Sequence, residues 1–144
     1  MVAFVLISDW LANMVENADC DSDQFVVALS NTAPGAEGSP PTGDGDGVLA
    51  NVTEVSYADC SSRNITTTSS GQTAGTYSLI VAALVLTSSG TVGPFRYVYI
   101  YDDTVAAPAD PLVCYYDYGS SITLASGETL TIDFDAANGL FQLS

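Results

Sequence analysis

The sequence predicts a mainly β protein, an antiparallel β-sandwich of jelly-roll type preceded by one N-terminal α-helix. Three observations carry this. From residue 75 onward, short apolar and aromatic runs alternate with polar residues and are separated by Gly-, Asn- and Ser-bearing turns, the period-two pattern of half-buried strands. Near the N-terminus, by contrast, Phe4, Ile7, Trp10, Leu11, Met14 and Val15 recur at three- and four-residue intervals, the spacing of one apolar stripe on a helix. Finally, 47% apolar residues in 144, with a mean hydropathy of +0.27, supply a core despite the high charge, so the chain is not expected to be disordered. The predicted organisation is a helical arm over residues 1–22 and a sandwich over 23–144, with a long exposed loop at 31–47.

The helix is predicted over residues 3–17, with Ser8, Asp9, Asn13 and Glu16 on its polar side. Residues 24–30 are continuously apolar and predict a strand buried on both faces. Residues 31–47 are dense in Pro and Gly without periodicity, which predicts a long loop of the kind that is often functional. Residues 48–75 are rich in Thr and Ser, with a short strand at 64–68; Asn51-Val-Thr53 and Asn64-Ile-Thr66 match the weak three-residue glycosylation pattern. Strands are then predicted at 77–87, 95–101, 112–116, 122–124, 129–134 and 140–143. Turn signals at Ser126-Gly-Glu128 and Asn138-Gly139 predict that the last three form a meander.

Charge excludes whole classes of function. Against 17 acids stand only Arg63 and Arg96, with no Lys and no His, for a net charge of −15. A nucleic-acid binder needs a basic footprint, and anionic membranes need the same. Nucleophile–His pairs, Schiff-base lysines and His-bearing metal sites are also unavailable. No enzyme activity and no cofactor is expected. Residues 1–7 are apolar but lack the basic start and small-residue cleavage site of a secretion signal, so neither export by that route nor membrane insertion is expected.

The remaining chemical motifs have plainer explanations. Gly43-Asp-Gly-Asp-Gly47 and Asp133-Phe-Asp135 have calcium-loop chemistry without the full ligand set; solvated turns and a hairpin explain them. Asp102, Asp103 and Asp117 beside Tyr115, Tyr116 and Tyr118 have the residue types of a glycosidase, but carboxylate pairs are expected here from composition alone. Cys20 and Cys60 both stand in Ala-Asp-Cys contexts beside expected loops; a bridge between them is the alternative, and free thiols are the expectation, because disulfides are uncommon in proteins assembled in a reducing cytoplasm. Cys114, inside an apolar strand, is expected to be a core residue.

The tract from Tyr97 to Tyr118 is the most distinctive feature. Tyrosine buries a ring while keeping a hydroxyl for hydrogen bonding, so it serves both cores and interfaces. Some rings are expected inside and others at a subunit contact. Arg96, between Phe95 and Tyr97, is expected to pair with Asp102, Asp103, Asp110 or Asp117, or to stack on an aromatic ring. The candidate interface residues are Phe4, Trp10, Leu11 and Met14 of the helix stripe, Pro34, Pro40 and Pro41 of the loop, and Arg96, Tyr97, Tyr99 and Tyr101.

Asn31-Thr-Ala-Pro34, Gly93-Pro-Phe-Arg-Tyr97, Tyr101-Asp-Asp-Thr104, Asp110-Pro-Leu112 and residues 116–125 together resemble a family of small virion proteins of tailed bacteriophages. Residues 127–135 and Asn138-Gly139 continue the likeness, while residues 35–70 look individual. Cys114-Tyr115 departs from the Gly-Trp that the family shows there. The resemblance implies a capsid cement (head decoration) protein on the outer surface of the shell, assembled in the host cytoplasm. Its implied partners are the major capsid protein and further copies of itself, a trimer being favoured over a dimer from capsid symmetry. A neck, tail or fibre component is the alternative within the virion, and a carbohydrate-binding adhesin the alternative outside that class.

Overall fold

The computed structural model describes residues 3–7, 9–34 and 47–144. In chain order these form β1 (Ala3–Leu6), α1 (Trp10–Glu16), β2 (Phe25–Ser30), a 3-10 turn at Leu49–Asn51, β3 (Thr67–Thr73), β4 (Thr76–Val81), β5 (Leu84–Thr87), β6 (Val92–Asp102), β7 (Leu112–Leu124), β8 (Thr129–Ile132) and β9 (Phe141–Leu143). The chain is thus mainly β, with antiparallel sheets and one short N-terminal helix among the described residues. A four-stranded sheet runs β1-β7-β6-β2, a three-stranded sheet β3-β4-β9, and β5 pairs with β8.

The helix predicted over 3–17 is corrected at its start. Residues 3–6 are a strand, Phe4 standing opposite Tyr116 and Leu6 opposite Cys114. A short apolar run fits both periods, and here the backbone is satisfied along the edge of β7 instead of within a helix. Helix α1 that remains has seven residues, too few to be stable alone. Trp10 holds it: fully buried, its ring meets Phe25 of β2 at 6.1 Å and Phe141 of β9 at 6.2 Å, both edge-on. Asp9 caps no helical amide; its carboxylate accepts instead from the Gly47 amide at 3.0 Å.

Strand β2 is buried along its whole length, as its continuous apolar character predicts. It pairs with β6 from Phe25–Asp102 to Ser30–Tyr97. On its other edge the Val27 amide donates to Arg63 O, Ile65 to Phe25 O and Val55 to Leu29 O. The outer edge of β1 has no strand partner among the described residues.

Three further expectations are corrected. The strand predicted over 77–87 is divided at Ala82-Ala83 into β4 and β5, which belong to different sheets. The strands predicted at 112–116 and 122–124 are one: the polar residues between them bulge toward solvent opposite Arg96, and Ile122 and Leu124 resume the pairing with Phe95 and Val92 of β6. No terminal meander forms: β8 pairs with β5 and β9 with β4. The turn signals themselves are where they were expected, with Glu128 N–H donating to Ala125 O and Gly139 N–H to Asp135 O. Gly139 is required there, since its φ is +76° and a Cβ would lie 2.1 Å from the Leu79 carbonyl oxygen.

Candidate interaction surface

The N-terminal segment presents apolar groups beside a buried anchor, Trp10. Trp10 and Ile7 point inward, whereas Phe4 is 42% exposed, Leu11 48% and Val15 82%. Phe4 rests edge-on against Tyr116 at 5.6 Å. Leu11 and Val15, four residues apart, share one side of α1. Met14 is half-buried and lines, with Val15, Ala18, Cys20, Tyr77 and Leu143, an open recess of about 430 Å³.

The β6 tyrosines stand inside the chain. Tyr97, Tyr99 and Tyr101 are all buried, and Tyr115 packs against Tyr99 at 5.7 Å and Tyr97 at 6.4 Å. They therefore offer no open tyrosine face on the single chain; the exposed tyrosine of this sheet is Tyr118 on the β7 bulge. Pro34 is half-buried. Pro40, Pro41 and the acidic Gly43–Asp46 stretch lie outside the described residues.

Of the four carboxylates expected near Arg96, Asp117 is the partner. The guanidinium forks onto it through Nε to Oδ1 at 2.7 Å and Nη2 to Oδ2 at 2.8 Å, and lies 5.3 Å from the Tyr97 ring centroid. This hydrogen-bonded cation holds the Asp117 carboxyl below the ordinary aspartate range, and the Gly119 amide adds to the effect. The fork is half open to solvent, which limits its contribution to stability.

The other arginine, to which sequence reading assigned no role, is built in more deeply. Arg63 stacks 3.7 Å from the Tyr57 ring centroid, lies 3.7 Å from Glu54 and donates to Val27 O. Tyr57 completes the set: its hydroxyl accepts from the Leu29 amide at 2.8 Å and donates to Glu54 at 2.7 Å. Burial pushes that hydroxyl well above the ordinary tyrosine range. The only sequence signal was scarcity, since each cation in so acidic a chain must find a carboxylate.

Asp102 and Asp117, candidates for a carboxylate pair, stand far apart. Asp117 stands opposite Tyr97, five residues along β6 from Asp102, which is about 16 Å at the rise of a strand. Glycosidase carboxylates work at roughly 5–9.5 Å. Asp135 instead closes a turn, accepting from the amides of Ala137 and Asn138 and from the Asn138 side chain. Among the described residues no three metal-ligating side chains converge, and no helix is long and apolar enough to cross a membrane. The three cysteines are free thiols; Cys20 and Cys114 are buried, and burial pushes the Cys20 thiol up to about 11.

Compared with protein-family models, with curated proteins and with solved structures, the chain matches none of them.

Proposed function

We propose that this chain is a structural protein of a tailed-bacteriophage particle, a cement protein that binds the outer surface of the head and bridges neighbouring major capsid subunits. The observation that supports this reading best is the set of exposed apolar side chains Phe4, Leu11 and Val15 on a short segment anchored by Trp10. Apolar groups on a segment already anchored to the core bury against a partner at a lower ordering cost than groups on a free chain. The outer edge of β1, without a strand partner among the described residues, adds backbone donors and acceptors to the same region. A net charge of −15 suits an outer surface, away from packaged DNA.

The sheets are read as a sandwich. Val98, Tyr116 and Tyr118 of the four-stranded sheet face Leu130 and Ile132 across a shared hollow, and Trp10 bridges β2 to β9. Both smaller sheets would then cover the same face of the large one. Many copies on a closed shell act together, so each contact need not be tight. A symmetric homo-oligomer, a trimer by capsid symmetry, is the corresponding assembly.

The test compares heat-induced DNA release from particles with and without the protein. Release at a lower temperature without it, restored by the wild type but not by Leu11→Ser/Val15→Ser, is the expected result. Equal release temperatures, with the protein located on the tail or neck by labelling, would end the cement reading. Saturable binding to host polysaccharide would favour an adhesin.

A further inference from the structure

Asp102 ends β6 with its side chain fully buried. One carboxylate oxygen, Oδ1, accepts from the Thr104 amide at 2.9 Å and the Val105 amide at 3.3 Å. The other, Oδ2, is equally buried and has no hydrogen-bond donor. A second acid stands beside it: Phe25 pairs with Asp102 and the Asp103 amide donates to Gln24 O, which brings Asp23 to the end of β6, where its carboxylate acts on the Asp102 carboxyl. Asp23 is itself held by the turn after α1, where its Oδ2 accepts from the Asp19 amide at 2.7 Å. The other titratable groups near this place are the Cys20 thiol, its hydrogen-bond partner the Tyr77 hydroxyl, and Asp19. Arg96 is forked onto Asp117, and Arg63 is engaged with Glu54, Val27 O and the Tyr57 ring. The chain has no Lys and no His.

Two neighbouring carboxylates, one with a buried oxygen lacking a donor, repel strongly unless a proton stands between them. We propose that Asp23 and Asp102 form a proton-operated latch that fastens the segment after α1 to the end of β6, closed when the pair shares a proton and strained when both are ionised. The hydrogen bonds beside it cross the same seam: Gln24 N–H donates to Thr104 Oγ1 and Asp103 N–H to Gln24 O, both at 2.9 Å. Asp23 also borders a hollow lined by Asn17, Thr104 and Val105, which gives the proton a way in from solvent.

The direction of the pH effect follows. Burial first, and the Asp23 carboxylate against it, push the Asp102 carboxyl up to about 6. Its stabilisation is complete below the ordinary aspartate range and is lost as the pH rises through about 6. The latch is therefore made in acid and released in base, changing the unfolding equilibrium constant by up to about a hundredfold.

Acid also relieves the general repulsion of so many carboxylates, so the test compares variants by urea unfolding from pH 4.5 to 8. Asp102→Asn supplies a permanent N–H donor to Asp23 and is expected to remove most of the loss of stability seen in the wild type above pH 6. Asp23→Asn is expected to flatten the profile as well. Coincident profiles for the wild type and Asp102→Asn would overturn the latch. Flattening in Asp102→Asn alone would overturn the pair in favour of burial acting by itself. A melting temperature raised by calcium chloride at pH 7.5 in the wild type but not in Asp102→Asn would replace the proton with a metal ion. Carboxyl NMR of the unsubstituted protein reads the same group directly: a midpoint near 6 for Asp102 supports the latch, and one at or below 4 refutes it.

Discussion

The N-terminal segment and the tyrosine tract of β6 carry the same kind of sequence signal and end in opposite environments. Both are runs of large apolar or aromatic side chains spaced to make a face. In the first, Trp10 is buried while Phe4, Leu11 and Val15 stay in solvent. In the second, Tyr97, Tyr99 and Tyr101 are all enclosed. The difference lies in what each element has for neighbours. Strand β6 is central, with β7 on one side and β2 on the other, whereas β1 is an edge strand and α1 is a two-turn helix held by one indole. A face becomes a surface where the fold runs out of layers to put over it.

The comparison can be broken most severely at Trp10. Trp10→Ala is expected to lower stability by about 3–5 kcal/mol, the range for emptying a large aromatic site, as read by urea denaturation. A loss below about 1 kcal/mol would show that α1 is not anchored through this ring. Tyr57→Phe comes next, because it strips the partner from the Leu29 amide on fully buried β2. An expected loss of about 1–3 kcal/mol, measured the same way, would show that the enclosed side of the sheet depends on this hydroxyl.

Arg96→Met is expected to cost less than either change, since its fork to Asp117 is partly solvated. Its signature is in the pH dependence. The pairing is present above the ordinary aspartate range and is lost as the pH falls through the lowered value of Asp117, so the variant should lose that part of the acid sensitivity. An unchanged acid limb would mean that the fork contributes nothing. Leu11→Ser with Val15→Ser should have the smallest effect on the isolated chain, within about 0.5 kcal/mol for each exposed site. A larger loss in dilute solution would place these side chains in the folded core, contrary to their exposure.

The sequence by itself determined what depends on composition and on near neighbours. The β class follows from period-two alternation, the burial of β2 from its unbroken apolar run, and the turns at Gly127 and Gly139 from local backbone demands. The pairing of Arg96 with a carboxylate follows from having two cations among 17 acids, and the list that included Asp117 was short because few acids lie near Arg96 along the chain. Only the tertiary structure decided the rest. Residues 3–6 read as the start of the helix, and the edge of β7 makes them a strand instead. Strands β8 and β9 leave their sequence neighbours for β5 and β4. Arg63 finds Tyr57 and Val27, and Asp102 meets Asp23 across 79 positions of sequence. Such partners are set by how layers stack and by which backbone groups are still unpaired when they do, and neither quantity is written in any short stretch of residues.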